Sequence, residues 1–349
     1  MPHPIMLSLI LLVLTTSDVL ADQNERAFDI NFYLSLRMQA ESVHPSNQQA
    51  MSSYRGLRDA YSRVGFNAEY RFDTENRLFA QLEIPYDAAK SRFRDSYDQG
   101  SVGRSNAERI RVGIVGLDSA WGTVTLGQLW MPYYNAITLP VDQFSTFYSG
   151  FATYSTFRVK ETVAYQSPDI GGWQFGGSYS TRHGNIRSPS RIDDRRIQAV
   201  ASYQLNDTLF AVGMDDRGNA AGFRDRIYGA SLTHTIGQWD LALKYELTDT
   251  NNPASFYGNN RRAVNIFTSY QHGKNRYKLM LARVESYGET VVHAGVDHQF
   301  NEALTLFIEF YQEQETAALT GKRKGLDGFD AATRGGRIIA AGFRYDFSF

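Results

Sequence analysis

The sequence has no cysteine, no surplus of either charge and, beyond its first residues, no apolar run of helical length. Each absence excludes something. Without cysteine there is no disulfide framework, no thiolate metal site and no cysteine nucleophile. The balance of 36 Lys+Arg against 37 Asp+Glu offers no basic excess to phosphate, so nucleic acid is not an expected partner. A mean hydropathy of −0.39 excludes a bundle of membrane-spanning helices, each of which needs about 20 apolar residues. What the chain does have is aromatics, with 21 Tyr and 22 Phe in 349 residues, a bias that favours strands over helices.

The one long apolar run is Ile5 to Val13, IMLSLILLV. Polar residues follow at Thr15 to Asp18, then Val19-Leu20-Ala21. A short apolar core ahead of a small-residue site predicts a cleaved export signal over residues 1–21. Residues 22–349 would then form the mature domain outside the cytoplasm, and the absence of cysteine suits that route.

After residue 21 the recurring pattern has period two. In the first run Ile30, Phe32, Leu34, Leu36 and Met38 alternate with Asn31, Tyr33, Ser35, Arg37 and Gln39. Further on, Leu241, Leu243, Tyr245 and Leu247 alternate with Asp240, Ala242, Lys244 and Glu246. The last residues set Phe343, Tyr345, Phe347 and Phe349 against Arg344, Asp346 and Ser348. Short turn signals such as DTEN at 73–76 and PDIGG at 168–172 alternate with long polar stretches. The runs count to about sixteen strands, or about 20 residues per strand with its connection.

A soluble pair of sandwiches would also alternate. Against it, no linker divides the chain, and the polar faces carry Arg, Asp, Glu and Gln at mid-strand, as a wet lumen would. The apolar faces end in aromatics, as at Tyr70-Phe72, Trp130 and Trp239, which suits an interfacial girdle. A closed barrel also removes the edge strands that lipid cannot hydrogen-bond. The expectation is therefore an all-β transmembrane antiparallel barrel of 16 strands. A last strand ending on Phe349 fits the insertion signal of bacterial outer-membrane barrels.

Two segments carry a family resemblance. Residues 109–134, RIRVGIVGLDSAWGTVTLGQLWMPYY, and 158–182, RVKETVAYQSPDIGGWQFGGSYSTR, resemble the strands on either side of the third loop of Gram-negative general porins. The opening NFYLSLRMQAES and closing GFRYDFSF fit that family's first and last strands. The resemblance implies a homotrimer of water-filled barrels in the outer membrane of a Gram-negative bacterium, among lipid and lipopolysaccharide, passing ions and small hydrophilic solutes without a cofactor. It also implies an inward-folded third loop, here residues 131–157, facing a basic wall. The candidate constriction residues are Arg37, Arg63, Arg109, Arg111, Arg158 and Lys160 on the wall and Asp142 on the loop. Each basic residue alternates with apolar neighbours, which puts it on the lumen side, while Glu69 and Glu83 are expected in the lumen at other heights. Glu161 falls on the outer face, tolerable at a subunit contact. Arginines facing one carboxylate predict a weak anion preference.

Two other functions compete. A substrate-specific channel, for a sugar or an anion, would use the aromatics of 131–157 as a slide. An outer-membrane barrel enzyme would need a nucleophile and base. No G-x-S-x-G appears, and His293 and His298, flanking Asp297, have opposite parity. No catalytic or metal-binding residue is expected.

Overall fold

The computed structural model describes residues 28–93, 110–181, 195–218, 222–253, 255, 257–319 and 334–349. The predicted export signal and Arg109 lie outside the described residues. Strands β1 to β8 are Phe28–Pro45, Tyr54–Asp59, Arg63–Arg71, Arg77–Pro85, Val112–Ser119, Gly122–Trp130, Arg158–Gln166 and Trp173–Ser180. Strands β9 to β17 are Arg196–Leu205, Thr208–Asp216, Asp225–Ile236, Trp239–Thr250, Arg262–His272, Asn275–Val284, Glu289–Gln299, Leu304–Glu313 and Gly336–Ser348. All belong to one antiparallel sheet. From β3 onward each pairs with the next, and β17 returns to β1 from Tyr33↔Ser348 to Pro45↔Gly336. The ring is closed further by Phe349, whose backbone exchanges hydrogen bonds of 3.0 and 2.9 Å with Phe32.

The seventeen segments make sixteen wall strands. β3 pairs with Phe28–Ser35 of β1, and β2 with Met38–Val43, so the two are successive pieces of one strand broken at Ala60–Ser62. The break has its own chemistry: Tyr61 adopts φ 72°, and the Asp59 carboxylate accepts the backbone N–H groups of Tyr61 and Ser62.

Burial is inverted relative to a soluble protein. On β12, Leu241, Leu243 and Tyr245 are 41%, 46% and 40% exposed, while Lys244 and Glu246 are fully buried. Large apolar side chains on the outside of a closed ring have hydrocarbon as their natural solvent, and each fully buried Leu is worth about 1.5–3 kcal/mol. At the short-turn end the outer face becomes aromatic. Trp121 stacks with Tyr165, and Trp173 and Trp239 pack at a tilt against Tyr203 and Tyr270. These rings form the girdle that the alternation implied.

Residues 131–157, between β6 and β7, hold the short helical turns Tyr134–Thr138, Leu139–Val141 and Tyr148–Phe151. Their contacts are with inward side chains of strands across the ring, so the segment lies within the barrel.

Candidate functional site

The loop is held to the wall mainly by carboxylates. Glu246 of β12 accepts hydrogen bonds from the Tyr133 hydroxyl at 3.3 Å, the Thr153 hydroxyl at 2.9 Å and the Tyr154 N–H at 2.9 Å. Lys244 Nζ bonds both Glu246 (2.7 Å) and the Ala152 carbonyl (3.0 Å). Glu309 of β16 accepts the N–H groups of Ser145 and Thr146 at 2.7 and 3.0 Å and the Thr146 hydroxyl at 2.5 Å. Glu309 is neutralised by Lys278 at 3.1 Å and contacted by His293, whose ring stacks on Phe144 at 3.5 Å. On β1, Glu41 accepts the Tyr148 hydroxyl at 2.8 Å. Carboxylates are suited to this task because an ionised oxygen accepts several N–H and O–H groups at once. Gly229 leaves room for the loop: a Cβ there would come within 2.1 Å of the Tyr133 hydroxyl.

On the wall formed by β1 to β5, arginines gather. Arg37 Nε donates to Ser35 Oγ at 2.7 Å, and its Nη2 lies 3.5 Å from Asp346. Arg63 Nε is 2.9 Å from Glu83, and Arg111 bonds the other oxygen of the same carboxylate. Arg37, Arg63 and Arg111 are near enough to repel one another. Arg58 of β2 joins them, 3.5 Å from Glu41 and 5.3 Å above the Phe147 ring of the loop.

Two residues reached this wall by routes that alternation does not show, and a third stands at a height it does not fix. Arg58 points inward because the break at Ala60–Ser62 resets the pleat; unbroken counting from Arg63 would turn it outward. Arg111 precedes β5 rather than belonging to it. Within β5, Val112 and Ile114 face the lumen, paired with Glu83 and Gln81, while Val115 is 55% exposed outside. The bend at Arg111 brings its guanidinium in to Glu83 nonetheless. Glu83 stands at the height of Arg63 and Arg111, not apart from them.

The remaining candidates are placed differently. A bulge pairs Thr162 with Gly127 but Val159 with Leu129, with Glu161 at φ 50°. Val159 packs with Leu129, Met131 and Tyr134, so Arg158 and Lys160 stand on the other face of β7, against the expectation from parity. Arg158 lies over the Trp130 ring at 5.0 Å, and its Nη1 approaches the Arg111 carbonyl at 3.4 Å. Asp142 does not face the arginines. It accepts the Tyr134 hydroxyl at 2.9 Å and the Ser149 hydroxyl from its own loop. Burial pushes its carboxyl above the usual range, and these two bonds oppose the shift.

Glu41, Lys244, Glu246, Lys278 and Glu309 were absent from the candidate set. Their signal was a charge at the inward parity of a mid-strand position, as in ALKYEL at 242–247. Among the described residues no three His, Asp or Glu side chains are grouped to hold a metal ion.

A family model described as Gram-negative porin matches residues 8–318. No curated protein sequence matches the chain. Solved structures are similar at low identity. An anion-selective porin from Comamonas acidovorans aligns with TM-score 0.71 and 17% identity, covering 92% of this chain and 100% of that one. OmpF of Salmonella typhi, solved with daunomycin, aligns with TM-score 0.66 and 15% identity over 92% and 97%. OmpT of Vibrio cholerae in its trimer form gives 0.62 and 16% over 92% and 100%. At these identities the likeness establishes the fold.

Proposed function

The chain belongs to the Gram-negative porins, an outer-membrane barrel for passive diffusion, and from that premise we propose that its selective step lies between the Phe147–Tyr148 edge of the loop and the wall of Arg37, Arg58, Arg63 and Arg111. The observation that carries this reading is the ion-paired group itself. Five guanidinium groups, with Arg344 pairing at 3.0 Å to the Asp346 that Arg37 also reaches, share Glu41, Glu83 and Asp346, which leaves two positive charges in excess. Charges at a narrow point dominate, because salt screens others beyond about 8–10 Å. The field is therefore weakly positive, and the pore prefers anions slightly. Such a site performs no chemistry; it orders dipolar solutes and biases ion flow by weak contacts that release easily.

Planar-bilayer recording of the purified protein tests this reading. Stepwise KCl conductance with a small reversal potential toward chloride supports it. A clear cation preference would overturn it.

We also read the assembly as a homotrimer. One similar structure, OmpT of Vibrio cholerae, is described in a trimer form. Residues 1–21 are read as the export signal and 22–349 as the barrel domain. A channel accounts for the buried charges of the inner wall without enzymatic roles, since those of β12, β15 and β16 are used in holding the loop.

A further inference from the structure

Between the loop and the short-turn end, the lumen opens into a cavity of about 450 Å³ along β4 to β10. Pro132, Asn135 and Ala136 of the loop roof it. The volume falls within the roughly 300–1,000 Å³ of small-molecule sites. Its polar lining consists of amides and hydroxyls, among them Gln81, Gln166, Gln174, Thr125 and Ser202. No charged side chain is among its described lining residues. This contrasts with the ion-paired arginine wall at the loop and with the buried charges on β12 and β16.

Most of the donors and acceptors are open; Gln174 gives one N–H to the Ser167 carbonyl at 3.4 Å and keeps its carbonyl oxygen. Gln81 gives one N–H to the Tyr33 hydroxyl at 3.1 Å, leaving its carbonyl oxygen. The side chains of Thr125, Gln166 and Ser202 make no hydrogen bond to the described residues. Gln174 and Ser202 pair directly across β8 and β9, so their groups converge on one spot. Leu129 and Val200 supply apolar surface beside them.

Uncharged donors and acceptors next to apolar patches suit one class of solute. An ion entering here would lose hydration with no opposite charge on the lining to replace it, since the Asp118 carboxylate behind Thr123 is already paired with Arg77 at 3.1 Å. A polyol exchanges its water hydrogen bonds for amide and hydroxyl ones and lays its C–H faces on Leu129 and Val200. We propose that this half-lumen is a binding site for neutral polyhydroxylated solutes of mono- to disaccharide size. The proposal rests on the channel reading and names the solutes that such a channel holds.

The test is saturable block of KCl current by maltose, added from the short-turn side in a planar bilayer, with succinate as the charged comparison. The expected result is a conductance decrease that saturates with maltose and is absent with succinate beyond its ionic-strength effect. The half-saturating concentration should rise about fivefold in Gln166→Leu and in Thr125→Val, each measured against its own KCl current, as for loss of one neutral hydrogen bond. Because two variants are used, one that fails to insert leaves the other to decide. A normal KCl current that falls with maltose only in proportion to viscosity overturns the site and leaves the channel intact. Equal or stronger block by succinate overturns the solute class. Absence of any KCl current would instead overturn the channel reading beneath it.

Discussion

The carboxylate of Glu83 lies between Arg63 and Arg111, ion-paired to one guanidinium through each oxygen. Tyr33 donates to it as well, at 3.1 Å. An acid within a basic wall does two things: it holds the guanidinium planes in place, and it removes one charge from the field they set.

Removing either partner should therefore move selectivity in opposite directions. Arg111→Ala is expected to widen the pore and shift the reversal potential in a KCl gradient toward cations. Glu83→Gln is expected to shift it toward chloride. If Arg111→Ala changes neither conductance nor reversal potential, Arg111 is not at the narrowest point.

Asp142→Asn should leave the reversal potential near that of the wild type, because its carboxylate is turned into its own loop by Tyr134 and Ser149. This differs from the sequence expectation, in which Asp142 opposes the arginines. A cation-to-anion shift as large as that of Glu83→Gln would show that Asp142 reaches the pore.

The wall acids predict the loop's stability. Glu246→Ala removes the acceptor for Tyr133, Thr153 and Tyr154 and leaves Lys244 buried without its carboxylate. Breaking one side of a buried pair costs about 3–5 kcal/mol. The expected outcome is a lower thermal transition in detergent and noisier single-channel current. Glu246→Gln, whose single carbonyl oxygen can still accept part of these bonds, should lose less. Equal behaviour of both variants and wild type would mean that the loop is held elsewhere.

For the assembly, light scattering in mild detergent should give the mass of three chains. A monodisperse monomer counts against the trimer.

Much of the barrel was legible because its determinants are local. Leu243 and Lys244 announce their faces by alternation, and Trp239 marks the girdle from its place at a turn. The third loop's span was legible from the strand motifs flanking it. The errors arise where the pleat is interrupted. Period-two counting assumes that every residue advances half a turn, and the break at Ala60–Ser62 and the bulge at Gly127–Glu161 each reset the count. One brought in Arg58, which counting had left out. The other turned Lys160 away. Asp142 failed for a different reason: a loop carboxylate goes to whichever hydroxyls the folded loop brings near, and Ser149 is seven residues away with no pattern joining them.

The pairing of β1 with β17 also governs assembly. Any partial set of these strands has two unpaired edges, and hydrocarbon has no donor or acceptor to meet them. The contact that removes both edges joins residues from 291 positions apart, Pro45 with Gly336, to 315 apart, Tyr33 with Ser348. Closure therefore waits for the last strand. Until then the growing sheet needs water, or another protein's strand, at its rim, so insertion into the membrane and completion of the ring are one event rather than two.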